Sequence, residues 1–136
     1  MRILGRKKAH RDHLLRNLAT SLILFETIDT TQAKAKEVKS LLDQVIARSK
    51  KADLNAIKKL HTIFFDKNAV KKVIEELVPR YKNRNSGFIK SYHLKNRLGD
   101  NAEMMRLELV DKKIFVTEEK VAKVSKKVEK VEEKAK

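Results

Sequence analysis

Leu14, Leu18 and Leu22 recur every four residues, with Leu15 and Ile23 beside them. That spacing gathers apolar groups on one side of a 3.6-residue turn and predicts a helix over residues 12–25. Asp12 stands where an N-cap is expected. The next segment, Glu26-Thr27-Ile28-Asp29-Thr30, is short and β-branched and reads as a strand. Thr31 is placed to cap a second helix, whose Val38, Leu41, Leu42, Val45 and Ile46 form one apolar stripe. Lys36, Lys39, Lys50 and Lys51 fall on its other side. Asp53 is placed to cap a third helix carrying Ile57, Leu60, His61, Phe64 and Phe65 in the same spacing. A fourth runs through Val70, Val73, Ile74, Leu77 and Val78. It is expected to stop near Pro79, which has no N–H to donate and crowds the preceding turn.

After Pro79 the period shortens to two. Phe88, Tyr92 and Leu94 are expected to share one face of an extended segment, with Lys90 among them. Met105, Leu107 and Leu109 alternate with Met104, Arg106, Glu108 and Val110. Between these strands, residues 96–103 offer Gly99 and Asn101 for positive φ, so a β-hairpin with a long loop is expected. A lone hairpin is marginal. It needs helices on one face, and the strand near Ile28 is the candidate third partner. The fold class is therefore α+β in two layers: about four helices on a small antiparallel sheet, in the order α-β-α-α-α-β-β. A basic N-terminal arm and a charged C-terminal tail complete the chain. Residues 1–116 are read as one domain. Residues 117–136 turn to Lys, Glu, Val and Ala, with Val121, Val124, Val128 and Val131 spaced 3-4-3. Two heptads of Val are too few for a coiled-coil seam, so a disordered or nascently helical tail is expected.

Composition narrows the function. The 136 residues hold 33 Lys and Arg against 18 Asp and Glu, a net charge of +15. Such a balance calls for a polyanion. An apolar share of 41% is enough for a core. Without cysteine there is no disulfide scaffold, thiol nucleophile or thiolate zinc site. Three glycines leave no glycine-rich phosphate loop. The longest strictly apolar run, Leu22–Phe25, falls far short of the about 20 residues of a membrane helix. The start is basic and poor in acid, as transit peptides are. It lacks their serine richness, and no apolar stretch with a cleavage site follows, so a cytoplasmic protein is the simpler expectation.

The charge is clustered. Residues 1–16 hold six basic groups and one acid, and residues 80–98 hold six and none. Catalytic constellations are missing from the sequence pattern. His10 and His13 stand at i, i+3, but their Arg and Lys neighbours repel a metal ion, and phosphate or base contact suits them better. His61 on an apolar stripe reads as half-buried, and His93 lies in the basic extended segment. Glu75-Glu76 and Glu118-Glu119 splay apart on a helix and cannot act as an acid/base pair. Ser21, Ser40 and Ser86 have no evident base. The chain is read as a binding protein without cofactor or small-molecule substrate, not an enzyme. Tyr81, Phe88 and Tyr92 lie among the cations of 80–95, a mixture suited to RNA. Alternation assigns Phe88 and Tyr92 to the core and leaves Tyr81 as the stacking candidate.

Several segments carry a family resemblance. They are Gly5-Arg6-Lys7, His10-Arg11, Leu14-Leu15-Arg16-Asn17-Leu18-Ala19-Thr20-Ser21-Leu22-Ile23, Glu26-Thr27-Ile28-Asp29-Thr30-Thr31 and Lys34-Ala35-Lys36-Glu37. The closing motif is Gly99-Asp100-Asn101-Ala102, a methionine, then Leu107-Glu108-Leu109-Val110-Asp111. In this order, over roughly residues 4–112, the chain resembles the bacterial large-subunit ribosomal protein L17 family. The resemblance implies helices packed on a small antiparallel sheet. It also implies a structural role on large-subunit ribosomal RNA near the peptide exit region, beside neighbouring large-subunit proteins. The family's longer basic arm is here Met1–Leu4, its glycine-rich element is Asn85-Ser86-Gly87-Phe88, and the tail has no counterpart in the resemblance.

Both lines lead to one mechanism: backbone phosphates supply the affinity and RNA shape most of the specificity. The candidate contacts are Arg2, Arg6, Lys7, Lys8, His10, Arg11 and Arg16 at the start, then Arg80, Lys82, Arg84, Lys90, Lys95 and Arg97. The N-terminus of the first helix would favour phosphate, with Asp12 opposing it. The alternative is a small DNA-binding helical protein, although no tight helix-turn-helix with a glycine turn is visible. A membrane-surface protein is disfavoured because the basic groups lie off any single amphipathic face.

Overall fold

The computed structural model describes residues 2–51 and 53–112. Helix α1 (Lys8–Phe25) leads into strand β1 (Thr27–Thr31), helix α2 (Gln32–Ser49), helix α3 (Leu54–Ile63) and helix α4 (Lys67–Lys72). From α4 the helical run continues through a π-helical turn (Val73–Leu77) and a closing turn (Val78–Arg80). Strands β2 (Ile89–His93) and β3 (Met104–Leu109) follow. The sheet has the order β1-β3-β2, with both pairings antiparallel. This is the α+β arrangement expected, with the Ile28 strand as third partner.

One face of the sheet is covered and the other is open. Ile89, Leu107 and Leu109 are buried beneath Leu15, Leu22 and Ile23 of α1 and Val38, Leu42 and Ile46 of α2. Strand alternation sends Lys90, Tyr92, Arg106 and Asp29 to the opposite side. There Arg106 donates to Asp29 through two hydrogen bonds of 2.7 and 2.8 Å, directly across the β1–β3 pairing. The Arg106 bonds hold the Asp29 carboxyl below its ordinary value.

Several local expectations change. Helix α1 begins four residues before Asp12, which lies inside it; the N-cap is Lys7, whose side chain makes no capping bond. The positive end of the helix is thus bordered by cations. Thr31 and Asp53 do stand at N-caps, without side-chain capping bonds, whereas Asp66 accepts from the Asn68 N–H at 2.8 Å. The helical run stops at Arg80, one residue past Pro79, as expected. The π turn just before it widens the backbone, with the Val78 N–H reaching Val73 O, and helix geometry persists to Arg80. Tyr81 and Tyr92 exchange roles. Tyr81 is 1% exposed, donates to Val110 O at 2.5 Å and tilts against Phe88 at 5.1 Å. Burial raises the pKa of its hydroxyl. Tyr92 is 47% exposed because its strand begins at Ile89, one residue after the buried Phe88, which puts Ile89 rather than Tyr92 on the covered face. His61 and Phe65 are exposed, not part of a stripe in the core.

The deepest charge is Glu26, 2% exposed. It occupies the left-handed region at φ 59° and closes α1 by donating its N–H to Leu22 O at 2.9 Å. Its carboxylate receives the Arg80 guanidinium at 3.1 and 3.2 Å and lies 3.0 Å from Lys72 Nζ. Lys72 also donates to Leu24 O at 2.9 Å, and the Leu109 N–H donates to Glu26 O at 3.0 Å. One residue therefore ties the end of α1 to the central strand and to both ends of the π turn. Asp43 plays a smaller version of this part: it accepts the Phe88 N–H at 3.0 Å and starts β2. Burial raises its pKa.

Two outcomes are expected in unfolding experiments. Arg80→Ala removes the forked guanidinium from a buried carboxylate, so urea unfolding should show a loss of about 3 kcal/mol, the low end for breaking a buried pair. A loss within the scatter of surface substitutions would refute this. For Asp43, a raised folded pKa means that the folded state binds the proton more tightly than the unfolded chain. Stability from this group is then greatest in acid and falls as pH rises through the folded pKa. Asp43→Asn keeps the acceptor for Phe88 and should match or exceed the parent's stability at pH 7, with its advantage vanishing toward pH 3. A lower melting temperature at pH 7 would count against it.

Candidate nucleic-acid interface

The arm is held, not trailing. Leu4 packs against the core, and a turn with the Arg6 N–H on Ile3 O at 3.2 Å delivers the chain into α1. Lys7, Lys8 and His10 are exposed, Arg6 and Arg11 partly so. Arg6 Nη1 lies 3.1 Å from His10 Nε2, and the Nε atoms of Arg6 and Arg11 are buried without a hydrogen-bond partner. No acid stands in the first turn of α1. Cations beside the positive end of a helix dipole oppose folding and favour an anion. Because Asp12 sits a full turn inside, the opposition expected from it at the helix terminus is displaced from there. Arg2 reaches Glu37 at 3.8 Å, in the second turn of α2.

The second basic segment is divided. Arg80 belongs to the interior: its side chain is 12% exposed and committed to Glu26, so this structure does not offer it to a phosphate. Lys82 and Arg84 are exposed just beyond it. Arg84 Nη1 donates to Gly87 O at 3.1 Å, and Lys50 Nζ donates to Arg84 O at 2.7 Å. Lys50, from the end of α2, therefore joins this cluster, which the sequence did not reveal because the two residues are 34 positions apart. Lys90 lies on the open sheet face. Lys95 and Arg97 lie beyond the other end of β2, about 17 Å further along a five-residue strand. Arg97 pairs with exposed Asp100, whose pKa it lowers to about 2. The hairpin end sits by the start of α2, where the Gln32 N–H meets Glu103 O at 3.0 Å, so Lys95 and Arg97 share an end with the arm. The cations thus form two groups, at opposite ends of the two-layer body.

Two aromatic features were not anticipated. The ring of exposed His13 stacks on Phe65 with centroids 5.3 Å apart and planes 13° apart, and Arg16 lies 5.6 Å from the same Phe65 centroid.

The sequence profile described as Ribosomal protein L17 matches residues 14–110. The chain belongs to the ribosomal protein L17 family. It is 43% identical over 107 residues to the large ribosomal subunit protein bL17 of Endomicrobium trichonymphae, covering 79% of this chain and 92% of that protein. It is 41% identical over 109 residues to bL17 of Campylobacter concisus, covering 80% and 92%. With bL17 of Syntrophotalea carbinolica it shares 41% over 110 residues, covering 81% and 71%. L17 is a family of structural ribosomal proteins, a non-enzymatic class. Among the described residues, no helix is long and apolar enough to cross a membrane, and no group of three or more His, Cys, Asp or Glu could hold a metal ion.

In this L17 chain the cationic start of α1 has an energetic signature. Lys8→Glu replaces an unfavourable charge in the first turn by a favourable one. It should raise the melting temperature, with a gain of about 0.3–1 kcal/mol at low salt. A lower melting temperature for the variant would contradict this arrangement.

Proposed function

We propose that this L17 protein is a structural constituent of the large ribosomal subunit that binds large-subunit ribosomal RNA near the peptide exit region, next to other large-subunit proteins. The observation that carries the reading is the division of cations. The fold uses Arg80 and Lys72 internally and leaves Lys7, Lys8, Lys50, Lys82, Arg84, Lys90 and Lys95 at the surface. An excess of surface cations at both ends of a small body suits two RNA backbones or one that bends around it. Its family membership supports ribosomal RNA as that polyanion. The RNA contacts proposed are Arg2, Arg6, Lys7, Lys8, His10, Arg11 and Arg16 with the hairpin's Lys95 and Arg97 at one end, Lys82 and Arg84 with Lys50 at the other, and Lys90 between. The tail, residues 117–136, lies outside the described residues. We place RNA binding in residues 1–116.

The test is filter binding to large-subunit RNA between about 50 and 200 mM salt. Affinity should fall steeply, and an excess of duplex DNA should compete poorly. Lys82→Ala with Arg84→Ala should leave the melt unchanged and shallow the salt slope by about 1.4–1.8, two phosphate contacts' worth. A chain ending at Val116 should bind as the full chain does and sediment with large subunits on a sucrose gradient. A flat salt response, or preference for duplex DNA, would overturn the proposal.

A further inference from the structure

Phe65 is 52% exposed, although it sits in an apolar run between α3 and α4. Phe64 beside it is buried in the core, so the chain at this point turns one ring inward and the next outward. The outward ring is held. His13 lies nearly parallel to it, and the Arg16 guanidinium approaches it within 5.6 Å of the centroid. His13 and Arg16 are one turn apart on α1, while Phe65 arrives from the far side of α3. At the start of α1, His10 and His13 are spaced i and i+3 on one side of the helix, and Arg6, two residues before the helix, reaches His10 at 3.1 Å and carries the line into the cationic arm. Asp12 lies next to His13 and adds one acceptor at the edge of this surface.

We infer that the His13–Phe65 stack is a platform for one unpaired RNA base, with Arg16 on one side and the Arg6–His10 end of the arm taking the flanking phosphates. The chemistry fits on three counts. A half-exposed phenyl ring gains by covering its apolar face, and a nucleobase offers a flat surface of matching size. The rings are already ordered by each other and by Arg16, so little freedom is lost on binding. The cations around them match the charge of a sugar-phosphate chain and disfavour a basic or purely apolar protein partner. The inference rests on the RNA-binding reading and adds to it a recognition mode, stacking of an unpaired base, that phosphate contacts alone do not supply.

The experiment compares the full-length protein with Phe65→Ala and Phe65→Tyr. The probes are a single-stranded 12-mer oligoadenylate carrying 2-aminopurine and a blunt 12-base-pair RNA duplex. Phe65→Ala should weaken single-strand binding about tenfold, the loss of one stacked base, and leave the duplex affinity and both salt slopes unchanged. Phe65→Tyr should bind as the parent does. Fluorescence of 2-aminopurine should be quenched by the parent and by Phe65→Tyr but not by Phe65→Ala. A melt of Phe65→Ala close to the parent's would confirm that binding, not folding, has changed. Equal single-strand affinity for parent and Phe65→Ala overturns the inference while leaving RNA binding intact. An equal loss on the duplex overturns it too, since it would report charge or fold and not stacking. A parent that binds neither RNA would overturn the RNA-binding reading and this inference with it.

Discussion

A carboxylate enclosed in the core must be matched or it unfolds the protein around it, and the Glu26 carboxylate is met by Arg80, which forks onto it, and by Lys72 at 3.0 Å. Its backbone carbonyl separately accepts the Leu109 N–H. The left-handed backbone at Glu26 is uncommon for a residue with a Cβ. It turns the chain out of α1 directly into β1, and the surrounding bonds hold it there. The partners Lys72 and Arg80 flank the π turn, so the same cluster sets the direction of the helical run. With Arg80 fixed inward, Tyr81 falls into the core against Phe88 and Val110. Lys82 and Arg84, the next cations, emerge outside.

This division of labour explains how a chain of net charge +15 keeps a compact body. Two cations are neutralised inside. Arg106 and Arg97 are neutralised outside by Asp29 and Asp100. The proposed contact lysines stand at the ends of α1, α2 and β2, where backbone geometry fixes their direction without burying them. A helix that opens with Lys7 and Lys8 and no acid in its first turn gives up some stability. Such a concession at a terminus is the usual companion of an anion site.

The elements were legible because their information is local. Leu14 to Ile23 and Val38 to Ile46 each spell one helical face, and Met105 to Leu109 spells one strand face. The turn at Gly99 and Asn101 was readable from residue type, and both do take positive φ. What failed were long-range relations. Arg80 reads as a surface cation in a basic run, and only its pairing with Glu26, 54 positions away, makes it a core residue. The exchange of Tyr81 and Tyr92 has the same origin. Tyr81 follows Arg80 inward, and an offset of one residue at the start of β2 puts Tyr92 on the open face. The stop near Pro79 was legible from residue type, whereas the π turn before it has no signature in apolar spacing. Of the site, the cationic arm was legible from composition, whereas Lys50 and Phe65 were not, since α2 and α3 reach the surface beside Arg84 and His13 only once folded.

The central claim is that Glu26 and Arg80 act as one unit on which the fold depends. A double-mutant cycle of Glu26→Gln and Arg80→Met, read by urea unfolding at pH 7, measures it directly. Each single variant should lose about 3 kcal/mol, and the double variant should lose well under the sum, with a coupling of about 2 kcal/mol or more. Losses that simply add would contradict the account.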